Sequence, residues 1–243
     1  MPMKTNLLYL IDPSLHEVEG SILSSGSDDN GAYVVLDQTP AYVQGGGQES
    51  DTGQLIAGEH SFSFLKVKRV DEQIRHYLYS PLPSALLDAT MTISIDAENR
   101  FLNSKLHSAG HLIASLVQEQ FPDLIPIKGH HYKEGSYVEF SGAVPEVPQL
   151  MQIILQPMID VEIKGNNCIS IHELERTELA NLPVQLPSHA QQEKIRHVTI
   201  DTYQSMPCGG THLSTLAEIG TLKIQKIKAG KGILRISYSC PIS

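Results

Sequence analysis

The chain has only three cysteines in 243 residues, Cys168, Cys208 and Cys240, at spacings that match no disulfide scaffold. So sparse and odd a set excludes a disulfide-stapled secreted domain and fits a reducing compartment. No apolar segment comes near the roughly 20 residues that a membrane span requires, and the chain does not start with a basic stretch followed by an apolar run. A cytoplasmic protein without a membrane partner is expected. Basic charge is also short, since 18 lysines and arginines face 27 aspartates and glutamates, a formal net charge of −9. Proteins that coat nucleic acid through their overall field are usually basic, so that class is disfavoured and DNA is not expected as a partner. A local basic track stays open at Lys66, Lys68, Arg69 and Arg75, or at Lys223, Lys226, Lys228, Lys231 and Arg235. Taken alone, either cluster reads better as a solvated strand face.

Other absences narrow the motifs. The triplet Gly45-Gly46-Gly47 follows a predicted strand, but it lacks both a G-K-[ST] ending and the G-x-G-x-x-G spacing. It is therefore neither a Walker loop nor a dinucleotide loop. It serves either as a hairpin connection or as a segment whose backbone passes close to a ligand, with Thr39 and Gln48 as polar points. No internal repeat or low-complexity tract is present.

What is present reads as two domains of unequal size. Residues 1–95 carry apolar positions at a period of two, with strands predicted over Val18–Leu23, Tyr33–Leu36, Phe62–Val67, Ile74–Tyr79 and Met91–Ile95. Turn chemistry over Ser25–Gly31 separates the first two. Short strands without a long helix predict a small barrel. Residues 96–243 mix helices, hairpins and strands, which predicts an α+β domain. Asp96 is a predicted N-cap, and Leu102, Leu106, Ala109, Ile113 and Leu116 form the buried stripe of a helix that ends at Phe121-Pro122-Asp123. Val147, Leu150, Met151, Ile154 and Met158 mark a second helix, which Pro157 is expected to kink or shorten. Strands are predicted over Ile127–Tyr132, Ser136–Phe140, Ile169–Leu174, Val198–Ile200, Leu222–Ile227 and Ile233–Tyr238.

The chemistry centres on two spaced pairs. His107 and His111 are one helical turn apart and share a face. On their own they are better explained as polar residues at a helix border. A metalloprotease would carry Glu directly after the first histidine as its general base, and Ser108 stands there instead. Cys208-Gly209-Gly210-Thr211-His212 adds a second pair on a stretch that its glycines bar from helix. A lone cysteine is most often a small buried apolar residue, but two helical histidines with a cysteine and a third histidine could equally supply a tetrahedral set for one zinc ion.

Four segments then fall into a familiar order: LDQTP running into GGGQ, LHSAGHL, KGHHYKEGSYVEF, and QSMPCGGTHL followed by EIGTLKIQKIK. Together they resemble the editing domain of alanyl-tRNA synthetase and, more closely, its freestanding relatives, the AlaX proteins. One departure is Ala41-Tyr42-Val43-Gln44, which stands where the family has an aromatic residue, Tyr-Pro and an acidic residue. The resemblance implies a small N-terminal β-barrel followed by an α+β editing domain of the kind shared by threonyl- and alanyl-tRNA synthetases. It implies a hydrolase acting in trans that removes serine, and often glycine, from mischarged tRNA for alanine. His107, His111, Cys208 and His212 are similar to the family's zinc ligands, while Thr39, Gly45, Gly46, Gly47 and Gln48 resemble the segment that borders the amino-acid pocket. His130, His131 and Glu139 are candidates for proton transfer or contact with the terminal adenosine. Lys128, Lys226, Lys228 and Lys231 are candidates for tRNA phosphate contacts. Two rivals remain at this stage: a zinc-dependent esterase or amidase for a small metabolite, and a non-enzymatic RNA-binding module with structural zinc.

Overall fold

The computed structural model describes residues 4–175 and 194–241. The chain divides into two compact units, residues 1–102 and 103–243.

In the first unit a two-residue strand β1 (Asn6–Leu7) pairs in parallel with β4 (Gln38–Thr39). The remaining strands are β2 (Glu17–Asp28), β3 (Gly31–Leu36), β5 (Gly53–Ala57), β6 (His60–Val70), β7 (Gln73–Leu78) and β8 (Thr90–Ile95). They close into a six-stranded barrel in the order β2-β3-β7-β6-β5-β8. Their alternate side chains fill it, with Leu36, Leu55, Phe64, Val67, Met91 and Ile93 fully buried. Closure leaves no exposed sheet edge to protect, as a small barrel requires.

One expectation for this unit is corrected and one strand is added. The run Ser25–Asp28 is strand rather than turn, because it continues pairing with β3 as far as Asp28 opposite Gly31. Only Asp29 and Asn30 make the turn, where the Asp28 carboxylate accepts the Asn30 N–H at 2.7 Å. The strand at Gly53–Ala57 was not anticipated, since it has too few apolar residues to signal itself and exists through pairing with β6 and β8.

Helix α1 spans Ala97–Gln120 and is capped as expected: the Asp96 carboxylate accepts the N–H groups of Glu98 and Asn99, both at 3.0 Å. Its burial is broader than one stripe, because every residue from Asn103 to Gly110 is buried, polar ones included. In the second unit, β9 (Leu124–His130), β10 (Tyr137–Gly142), β14 (Lys223–Gly230) and β15 (Ile233–Ser239) form an antiparallel sheet in the order β14-β15-β10-β9. A second sheet orders β11 (Ile169–Glu175), β12 (Lys194–Ile200) and β13 (Met206–Pro207).

Helix α2 (Met151–Gly165) contains Pro157 without stopping there, and it ends on Asn166 in the left-handed conformation at φ 57°. Its buried face is Met151, Leu155, Ile159 and Ile163, a run of fours. Of the residues that marked it in the sequence, only Met151 is fully buried, whereas Val147, Leu150 and Ile154 are exposed. Among the described residues no helix is long and apolar enough to cross a membrane.

Candidate metal centre

The second unit brings the two spaced pairs together. The donor atoms of His107, His111, Cys208 and His212 all lie within 4.8 Å of one another. Cys208 Sγ is 3.4 Å from His107 Nε2 and 3.3 Å from His212 Nε2. Zinc bonds of about 2.05 Å to nitrogen and 2.3 Å to sulfur would put two such donors about 3.5 Å apart on a tetrahedron. The donor set therefore fits zinc in both spacing and chemical type. His107 and His212 are buried, at 2% and 9% exposure, deeper than the helix border that the sequence suggested, while Cys208 is partly exposed.

The loop that carries Cys208 and His212 is pinned to α1 at several points. The Ser104 and Thr211 hydroxyls share a hydrogen bond at 2.7 Å. Ser108 Oγ accepts the Leu213 N–H at 3.1 Å and lies 3.2 Å from His212 Nδ1. A metal held by Nε2 of His212 would leave the ring proton on Nδ1, where Ser108 Oγ would accept it and fix the ring's orientation. The position where a metalloprotease has its glutamate thus holds a residue that contacts His212. Arg196 on β12 donates to the Cys208 carbonyl at 2.7 Å, and its own carbonyl accepts the Cys208 N–H at 3.0 Å.

Burial dominates the electrostatics. It drives the imidazoles of His107 and His212 well below their ordinary range and His111 to about 4, with Arg196 adding to each shift. All three are neutral near pH 7, as ligands must be. Burial pushes the Cys208 thiol upward, opposed by the Gly210 N–H and by Arg196.

Beside the four donors, His131 stacks on His107 with ring centroids 4.5 Å apart and planes at 22°. Its Nδ1 is 2.6 Å from the Tyr238 hydroxyl, which donates in turn to the Leu106 carbonyl at 2.8 Å. Because the Tyr238 proton is committed to Leu106, the proton between the two side chains belongs to His131 Nδ1. Burial lowers this imidazole to about 3. Two glycines make room for it: a Cβ on Gly110 would sit 2.3 Å from His131 Cε1, and one on Gly129 would sit 2.3 Å from Nε2.

The other candidates separate. His130 and Glu139 lie on the opposite face of the sheet from Val138, Phe140 and Tyr238, hence away from the donor cluster. Lys128 shares that outer face, as do Lys226 and Lys228. Lys231 occupies the β14–β15 turn at φ 53°. In the first unit Thr39 is fully buried; its hydroxyl accepts the Ala41 N–H at 3.1 Å and lies 2.9 Å from His76 Nε2. Gly46 and Gly47, at φ 53° and 77°, make a two-residue turn between Gly45 and Gln48, whose backbones exchange hydrogen bonds at 3.3 and 2.9 Å. Gln48 is fully buried. Sequence reasoning did not reveal the parts played by Ser108, Arg196 and Tyr238. Ser108 alone carried a signal, as the residue standing in the place of the absent glutamate.

The chain is similar to known proteins along most of its length. Residues 195–237 match the family described as the threonyl and alanyl tRNA synthetase second additional domain. The alanyl-tRNA editing protein AlaX-M of Methanosarcina acetivorans is 28% identical over 249 residues, covering 97% of this chain and 98% of that protein. The chain is similar to this AlaX protein along nearly its whole length. AlaX-L of Pyrococcus horikoshii is 25% identical and aligns over 96% of this chain and 57% of its own length. The alanine–tRNA ligase of Archaeoglobus fulgidus is 26% identical, but this chain spans only 26% of it. The AlaX likeness therefore runs along the barrel as well as the unit that holds the donor cluster.

Proposed function

We propose that the chain is a trans-acting cytoplasmic hydrolase that clears serine, and glycine with it, from mischarged tRNA for alanine, with one zinc ion held by His107, His111, Cys208 and His212. One observation carries the reading: three histidines and one cysteine whose donor atoms lie within 4.8 Å of one another, in a chain matching 98% of the length of a freestanding alanyl-tRNA editing protein.

The discrimination problem gives such an enzyme its purpose. A pocket shaped for alanine rejects serine only modestly, whereas a site that hydrogen-bonds the serine hydroxyl rejects alanine strongly, because alanine leaves buried polar groups unpaired. We assign Thr39, Gly45, Gly46, Gly47 and Gln48 to the segment bordering the amino acid, supported by their resemblance to that segment in the family. The tight turn at Gly46-Gly47 and the tether of Thr39 to His76 give this segment a defined shape.

When bound, zinc supplies Lewis acidity at the ester bond, which is more labile than an amide. Ser108 holds the His212 proton at Nδ1 and keeps Nε2 available as a ligand. His131, at about 3, is too weak a base to remove a proton efficiently at neutral pH. We therefore assign it to holding His107 in place through their stacked rings. Lys128, Lys226, Lys228 and Lys231 neutralise tRNA phosphates.

The test is deacylation of seryl-, glycyl- and alanyl-tRNA for alanine, with and without a chelator. Loss of the seryl ester that stops on chelation, with the alanyl ester spared, is the expected result. Binding of tRNA without turnover would replace this reading with a zinc-stabilised RNA module, and turnover confined to small esters would replace it with a metabolite esterase.

A further inference from the structure

The outer face of the four-stranded sheet carries a cluster that the metal centre does not use. Strand pairing aligns Lys228, Arg235, Glu139 and Lys128 in one row across β14, β15, β10 and β9. The next row holds Lys226, Ser237, Tyr137 and His130. In a chain of net charge −9, these rows gather four cations against one carboxylate.

The planar groups here are already stacked. The Arg235 guanidinium lies 4.1 Å from the centroid of the Tyr137 ring, and the Glu139 carboxylate holds it there through the Arg235 Nε–H at 2.9 Å. His130 stacks on Tyr137 at 5.0 Å and 29°, and on Tyr132 at 4.2 Å and 20°. The result is a column of four planes ending in a half-exposed guanidinium, flanked by lysines that reach into solvent. An unpaired nucleobase extends such a column, and its flanking phosphates meet the lysines.

We propose that this face is a second RNA-contact site, which takes an unpaired nucleotide other than the one bearing the ester. The proposal rests on the tRNA reading above. Its distinct element is location: His131 and Tyr238 face the donor cluster, while His130, Tyr137 and Arg235 project from the other side of the same strands. A base stacked on the column is one sheet thickness from the reacting end, so it belongs to a different part of the RNA.

The test measures binding of the full chain to a labelled, uncharged single-stranded oligoribonucleotide of about ten nucleotides across a salt series. Arg235→Lys keeps the charge and loses the plane; it is expected to weaken binding about tenfold with the salt slope unchanged. Tyr137→Leu weakens binding similarly, and Tyr137→Phe stays within about twofold of wild type, since the ring and not the hydroxyl stacks. The Lys226→Ala, Lys228→Ala double variant weakens binding and reduces the salt slope by about one to two. Circular dichroism and thermal midpoint are followed for each variant, and the Phe variant separates stacking from folding. Equal affinity of Tyr137→Leu, Tyr137→Phe and wild type, or no binding by wild type, overturns the proposal. Deacylation of seryl-tRNA by a wild type that ignores the oligonucleotide sinks the platform alone. Oligonucleotide binding without deacylation sinks the editing reading and leaves the platform standing.

Discussion

Ser108 shows how much one hydroxyl can do. It receives the Leu213 N–H and orients His212 at the same time, so Ser108→Ala is expected to reduce metal affinity about 10- to 100-fold, as loss of a ligand's hydrogen-bond partner does elsewhere. Competition with a chromogenic chelator measures it; unchanged affinity would remove Ser108 from the site. His131 is sensitive for the opposite reason, lack of space. Gly129→Ala would place a methyl group 2.3 Å from its Nε2, an overpacking expected to cost about 1–3 kcal/mol by urea unfolding and to lower metal content. The ligands also differ in protonation. The histidines are already neutral near pH 7, with His111 titrating only at about 4, while the raised thiol of Cys208 must give up its proton to bind. Between pH 6 and 8 the apparent metal affinity should therefore rise about tenfold per unit, the slope of a single proton released. A slope near zero would mean that the thiol is already ionised.

At the scale of elements, the glycine segment is closed at its base by a buried ion pair. Arg100, in the first turn of α1, donates to the Asp51 carboxylate through Nε at 2.9 Å and to the Pro40 carbonyl at 2.7 Å, while Asp51 accepts the Tyr42 N–H at 2.7 Å. Both ends of the loop from Pro40 to Asp51 thus meet one guanidinium. Both partners are buried, at 4% and 0% exposure, so Arg100→Met is expected to cost about 3–5 kcal/mol by leaving an unpaired carboxylate inside. Urea titration of the full chain checks it, and a loss under about 1 kcal/mol would contradict the clamp. Elements also show what the sequence made legible. Barrel strands with one wet and one dry face declared themselves through alternation, and the spacing of His107, His111, Cys208 and His212 declared the donor set. Gly53–Ala57 did not, because its strand character comes from neighbours, and the buried face of α2 was misplaced because apolar residues line both of its sides. Arg196 and Tyr238 meet the site through contacts that no local pattern encodes.

Over the whole molecule the three cysteines occupy three environments, and thiol reagents can report them separately. Cys168 is exposed, Cys208 is partly exposed within the donor set, and Cys240 is buried, its thiol pushed up to about 12. The zinc-loaded chain is expected to show one fast-reacting thiol, a second after chelation, and a third only on unfolding. Two fast thiols in the loaded protein would show that Cys208 is not a ligand.

Adjacent residues at the end of β9 serve two surfaces: His131, just past its last residue, stacks on His107, and His130 belongs to the outer column. Side chains alternate along a strand, so deleting one residue between Leu124 and Gly129 would turn the strand inside out. Lys128 and His130 would face the interior, and the imidazole that supports His107 would face solvent. Substitutions can vary the two surfaces independently, but a change in strand length cannot, and related chains should therefore tolerate exchange here far better than insertion or deletion.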